Sequence, residues 1–280
     1  MKRRTYIKAT FIFALAIVIL SFGTANAQIR SAGDGYYVAG YGTVYGSFGQ
    51  ASVAQSRMYT TMQSQNRKTE ERNALIKKWG RAAVEKAERK AASGSSASSN
   101  AKIVVPPAAV VRNHGLFRPD KTVDTGKAMA DALGDTPDEK ALIKQIYTAT
   151  KIVYEKEAAA RGWKNNIAAA LTFFTVTAMT VYHDAEEPNA DAVNDYFKTV
   201  NISLDEIPEF AKIANKDKEG FNDILIGFSG MLIATYTEAK QTNNAETLDT
   251  SKKLAGMLVE MVLKTDPENL RIENGQIVLK

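Results

Sequence analysis

Sixteen consecutive residues, Ile167 to Tyr182, carry no charge, and nothing else in the chain limits its fold so strongly. A helix that is apolar all round must sit inside a protein core or inside a bilayer. Sixteen residues reach about 24 Å at 1.5 Å per residue, short of the roughly 30 Å of hydrocarbon in a membrane. Thr172, Thr175, Thr177 and Thr180 interrupt the run, and their hydroxyls can bond to carbonyls of the preceding turn. The run is followed by Asp184-Ala185-Glu186-Glu187, not by the positive charges expected beside a membrane segment. It therefore reads as the central helix of a globular core, wrapped by its neighbours.

Those neighbours are legible from period and caps. A short helix covers about Val123 to Leu133 and stops at Gly134. Thr136-Pro137-Asp138-Glu139 combines an N-cap threonine, a proline at the first helical position and a glutamate at the third. The helix it opens presents Leu142, Ile146, Ala149 and Val153 on one face and ends at Arg161-Gly162. Asn165 or Asn166 caps the central helix. Further helices are expected from about Ala190 to Val200, from Ser203-Leu204-Asp205-Glu206, from about Lys218 to Ala239 and from about Ala245 to Leu263. The third of these carries Phe221, Leu225, Phe228 and Leu232 and is interrupted by Gly227 and Gly230. Each glycine costs roughly 1 kcal/mol relative to alanine, so close helix–helix approach is the expected return. After Asp266-Pro267, apolar alternation around Asn274-Gly275 reads as a small hairpin. The predicted class is mainly all-α: about six helices bundled around a central apolar helix, with a small C-terminal β-hairpin and a long N-terminal helix outside the bundle.

The N-terminal third has a different character. Lys2, Arg3, Arg4 and Lys8, then the uncharged run Thr10 to Phe22, then Ala25-Asn26-Ala27 have the three parts of a secretory signal. Residues 1–27 are expected to be cleaved, leaving Gln28 first. Arg3-Arg4 also resembles a twin-arginine signal, but the Phe/Ile/Leu/Val-rich run suits the general secretory route. The expected location is periplasmic or extracellular. The sequence contains no cysteine, which excludes disulfides, thiolate metal sites and a cysteine nucleophile.

Residues 28–51 read as a Gly/Tyr-rich flexible arm whose Tyr36, Tyr37, Tyr41 and Tyr45 can stack on a partner. Residues 52–92 read as a long basic helix with a thin apolar stripe of Leu75, Trp79, Ala83 and Ala87. Residues 93–116 form a linker and extended strap, and 117–280 the helical domain. The net charge of +5 includes four basic residues of the expected signal, so the exported chain is near neutral and its charge gives no argument for nucleic acid. Its distribution does carry information: Arg67 to Lys90 holds nine basic residues against four acidic ones. Lys77, Lys78 and Arg81 there are candidate contacts for an anionic partner.

The region from Phe117 to Leu279 resembles a family of exported bacterial helical proteins of unknown function. The resemblance rests on Phe117-Arg118-Pro119, the run Ala160-Arg161-Gly162-Trp163-Lys164-Asn165-Asn166-Ile167-Ala168, Asp217-Lys218, and Asp266-Pro267 through Gly275. It implies a secreted helical domain and brings no activity or site with it.

Motifs for chemistry are sparse. There are two histidines, His114 and His183, too far apart to ligate zinc from one helix face. His183 beside Asp184 could be oriented as a general base, or could simply be a helix C-terminal histidine favoured by the dipole. Neither a Gly-x-Ser-x-Gly elbow nor a phosphate loop occurs. The one oxygen-rich loop offers Asp184, Glu186, Glu187 and Asp191 as a candidate Ca²⁺ set, although it lacks the glycine and terminal glutamate of an EF-hand. The expectation is a non-enzymatic binding or scaffold protein of the periplasm or cell surface, without a cofactor and without a transmembrane span after signal cleavage. Its partner would be another envelope protein or an anionic cell-envelope polymer. The alternative is a carboxylate-dependent hydrolase acting on cell-envelope carbohydrate or peptide, which needs a cleft where two acids or His183 converge.

Overall fold

The structure, a computed structural model, describes residues 49–93, 111–120, 122, 124–273 and 275–280. The expected signal segment, the four arm tyrosines, the Ser/Gly linker 94–100 and most of the strap lie outside the described residues. The helices are α1 Gly49–Trp79, α2 Arg81–Ala92, α3 Thr125–Leu133, α4 Pro137–Ala160, α5 Ile167–His183, α6 Ala190–Asp205, α7 Pro208–Lys212, α8 Asn215–Thr242 and α9 Ala245–Leu263. A single 3₁₀ turn, Pro267–Asn269, leads into the antiparallel pair β1 Leu270–Glu273 and β2 Gln276–Leu279.

The uncharged run is α5, and every residue from Ile167 to Val181 is buried. Asn166 caps it by accepting the Ala168 N–H. α8 lies against α5, while α9 and α6 cover other sides of α5 and α4 packs on α8. No helix among the described residues is long and apolar enough to cross a membrane. The capping box at Thr136 forms as expected, with Thr136 accepting from the Glu139 N–H and Glu139 accepting from the Thr136 N–H.

Gly227 and Gly230 are where α8 meets its neighbours most closely. A Cβ on Gly227 would lie 2.3 Å from Met129 Sδ on α3, and one on Gly230 would lie 2.2 Å from Thr150 Oγ1 on α4. Both contacts are well inside van der Waals distance, so the cost of each glycine in helix propensity is offset by backbone approach.

The structure departs from expectation in three places. The long N-terminal helix is present, but only its distal part stands clear of the bundle. Met58 and Met62 are fully buried and belong to the main core cluster, packed towards α6 and the hairpin end. Their helical face continues through Gln65 and Asn66, both buried, and Thr69. Amides, hydroxyls and thioethers make up this face, so apolar periodicity does not reveal it. The thin stripe is broken in the middle: Leu75, Ala83 and Ala87 are half-buried but Trp79 is exposed, and the chain reverses at Gly80, whose φ of +82° ends α1. α2 folds back on α1 through a bidentate Arg72–Glu88 ion pair and buried Val84.

The second departure concerns Ser203-Leu204-Asp205-Glu206, which opens no helix and instead ends α6. Ser203 bonds back to the Thr199 carbonyl and Asp205 reaches a distant backbone, so neither side chain is available as a cap. Pro208 starts the next, short helix. The third is α8, which runs beyond the expected bounds at both ends, Asn215–Thr242, and is buried on all sides from Lys218 to Ile233.

Candidate functional site

α4 and α5 both lie against α8 but touch each other only sparingly. A crevice opens between them and is closed on its far side by the 184–189 loop and the start of α6. The space it closes off from solvent is small, about 30 Å³, and the crevice opens outward from there. Its walls are apolar: Ala158 from α4, Ala169, Phe173 and Val176 from α5, and Pro188 and Val193 across from them. Arg161, Trp163 and Glu187 also line it and are only half-buried, which places them at the mouth. The mouth is braced: Trp163 stacks on Phe197 at 4.2 Å, the Arg161 guanidinium lies 5.1 Å from the Trp163 ring, and Arg161 donates to Asn194 Oδ1 at 3.0 Å.

The floor is less complete. Tyr154 and Thr177 line the crevice and are 4 % and 0 % exposed, and neither hydroxyl has a hydrogen-bond partner. Burial pushes the Tyr154 hydroxyl far above its ordinary range, with smaller contributions from Asp223 and Glu155, so it stays a neutral donor. The threonines of α5 were expected to bond back to the preceding turn. Thr172 does so, to the Ala168 carbonyl at 2.7 Å, but the hydroxyls of Thr175, Thr177 and Thr180 remain unpartnered. Thr175 faces Tyr196 without forming a proper hydrogen bond. Unpartnered buried hydroxyls are uncommon in folded proteins, and five of them around one helix set this part of the bundle apart.

The residues singled out from sequence are not brought together. Lys77 and Lys78 end α1 and Arg81 begins α2, so the three form an exposed basic elbow around Gly80. Trp79 in the same elbow is 38 % exposed, with Lys78 Nζ 5.3 Å from its ring. The four loop carboxylates diverge. Asp184 closes α5 in the left-handed region and pairs with Lys240 at 2.6 Å and Lys252 at 3.7 Å, and it also accepts from the Tyr236 hydroxyl. The Lys240 and Tyr236 bonds hold its carboxyl below the usual range, and the two ammonium groups would repel a cation there. Glu186 points to solvent, Glu187 borders the crevice, and Asp191 sits exposed in the first turn of α6. Among the described residues no three His, Cys, Asp or Glu side chains gather closely enough to hold a metal ion. His183 donates from Nε2 to the Leu270 carbonyl at 2.6 Å, tying α5 to the hairpin, while Asp184 is engaged elsewhere. His114 Nδ1 is 3.9 Å from Asp205.

A second polar assembly was invisible to sequence reasoning. Residues 112–120 are held by side chains more than ninety positions away. Asp205 accepts the backbone N–H groups of Arg112, Asn113 and His114. Lys218 donates to the His114 carbonyl, Asn215 accepts from Arg118 and Glu219 from Asp120. One turn further along α8, Asp223 accepts from Tyr147 at 2.8 Å and Lys151 at 2.6 Å. Glu219 and Asp223 are the nearest thing to the paired acids a hydrolase would need. Both are buried and occupied by these structural bonds, so the geometry gives that alternative no support. The only signal in the sequence is the density of charges at 215–223, which reads as a helix N-terminus.

Comparison with known families gives one match. The model of DUF6683, a family of unknown function, matches residues 7–280. The match takes in the arm and the basic helix, which the resemblance over 117–279 had left outside. No curated protein and no solved structure matches the chain.

Proposed function

We propose that this chain, which belongs to the DUF6683 family, is an exported, non-enzymatic binding or scaffold protein whose contact element is the basic elbow between α1 and α2. Residues 1–27 would direct it through the general secretory route. The bundle would be its body and an anionic cell-envelope polymer its partner.

One observation carries this reading. The proximal part of α1 is locked into the core by Met58 and Met62, while its distal end and α2 project as a helical hairpin. Lys77, Lys78, Arg81 and the half-exposed Trp79 sit at its tip. Among the described residues none of these three cations has an acidic partner within ion-pair distance. A rigid projection ending in uncompensated positive charge and an indole suits a surface that offers phosphate or carboxylate groups. Further along α2 the acids Glu85 and Glu88 are interspersed with Lys86, Arg89 and Lys90, and Glu88 is occupied by Arg72, whereas the tip carries cations alone.

The test is co-sedimentation of the purified protein with isolated cell-wall sacculi. The wild type is expected to sediment at 50 mM NaCl and to be released by 300 mM, because exposed charges are screened over about 10 Å at 0.1 M salt. Lys77→Glu/Lys78→Glu/Arg81→Glu should lose at least tenfold in affinity with an unchanged melting temperature. Equal sedimentation of this variant would refute the elbow as the contact.

A further inference from the structure

The crevice between α4 and α5 is separate from the elbow and calls for its own occupant. We propose that it binds a small, mainly apolar molecule whose buried end carries one neutral oxygen, of the phenol, alcohol or ketone class, held by the hydroxyls of Tyr154 and Thr177. The two hydroxyls line one space, are 4 % and 0 % exposed and have no partner within the protein. Both oxygens are closed off from solvent, so a ligand reaches their free bonding capacity by parting α4 from α5, which touch each other only sparingly. A ligand oxygen can accept from both, and a phenol or alcohol can also donate to Thr177.

The surroundings set the rest of the ligand's chemistry. Phe173 and Val176 form apolar walls, and small Ala158 and Ala169 leave room between the helices. Thr172 also lines the crevice; its hydroxyl donates to the Ala168 carbonyl and can only accept from a ligand. An ionised group is disfavoured at the floor, because no charged side chain lines it and burying an uncompensated charge is costly. The charged residues, Arg161 and Glu187, are at the half-buried mouth, beside the Trp163 indole. A ligand entering tail-first would keep any polar head there. Trp163 also supplies a reporter, since its ring stacks on Phe197 at the rim.

The experiment compares p-cresol with toluene, which has the same apolar ring and lacks the oxygen. Binding to the exported protein would be followed by calorimetry and by the chemical shift of the Trp163 indole. p-Cresol is expected to bind saturably and at least tenfold more tightly than toluene. In Tyr154→Phe/Thr177→Val, which keeps the shape of the walls, the preference should fall to about twofold or less. Ala169→Leu should abolish binding by filling the crevice. The elbow variant Lys77→Glu/Lys78→Glu/Arg81→Glu should bind both probes as the wild type does, so failure of either proposal leaves the other standing. The proposal is overturned if neither probe binds up to its solubility limit. It is equally overturned if the cresol preference survives loss of both hydroxyls, or if the crevice holds ordered water alone at saturating p-cresol.

Discussion

Single residues in this bundle are often charged where a helix wheel would place an apolar side chain, and their partners are backbone groups far away in sequence. Asp205, Lys218 and Glu219 are buried in this way around residues 112–120. Sequence periodicity cannot report such bonds, because their partners lie more than ninety positions away and carry no side-chain signature. Burial holds the Glu219 carboxyl above its ordinary range, more strongly than the Asp120 N–H lowers it. The folded chain therefore keeps this proton to a higher pH than the unfolded chain does. The resulting cost is absent below the unfolded pKa and complete above the folded one. Glutamine cannot ionise and can still accept the Asp120 N–H. Glu219→Gln should accordingly be more stable relative to wild type at pH 7 than at pH 4, as read from urea midpoints at the two pH values. A difference independent of pH, or one that grows on acidification, would contradict the assignment. At this scale the crevice was only half legible. The threonines of α5 could be read as buried, but their missing partners depend on where Tyr154 and Tyr196 arrive from α4 and α6.

At the scale of elements, sequence signals worked wherever the local chemistry had no competing use. The capping box at Thr136, the uncharged run of α5 and the Asn274-Gly275 hairpin signal each correspond to an observed element. The glycines of α8 meet α3 and α4 as their cost implied. Ser203-Leu204-Asp205-Glu206 failed because its two capping side chains are used for other bonds. The docking face of α1 failed for a different reason. Met58, Met62, Gln65, Asn66 and Thr69 share one face but not one polarity, so apolar periodicity picks out only the thin stripe from Leu75 to Ala87. If Met62 anchors α1, Met62→Ala should cost about 2 kcal/mol, the lower end for a buried methionine. That corresponds to roughly thirtyfold faster hydrogen exchange of α1 amides near residue 62, through local opening. The opening that exposes these amides should depend less steeply on urea than the one that exposes α5, because it uncovers less surface. Unchanged exchange in α1, or the same urea dependence for α1 and α5, would show that α1 does not dock as a separable unit.

The whole molecule combines a bundle built around α5 and α8, a helical hairpin rooted in that bundle by one end, and a crevice on another side. Its charge follows the same division: the segment Arg67–Lys90 is basic, while residues 91–280 hold 26 acidic residues against 21 basic ones. Without residues 1–27 the chain would be near neutral, and a cluster of unpaired cations at a projecting tip would suit a protein tethered to an anionic surface. Export and attachment can be read together in cells producing the wild type or Lys77→Glu/Lys78→Glu/Arg81→Glu. The measurement is the intact mass of the protein recovered from the cell-wall and soluble exported fractions. Both proteins should begin at Gln28, with the wild type in the wall fraction and the variant in the soluble exported fraction. Retention of residues 1–27, or a variant as firmly wall-bound as the wild type, would contradict the proposed function.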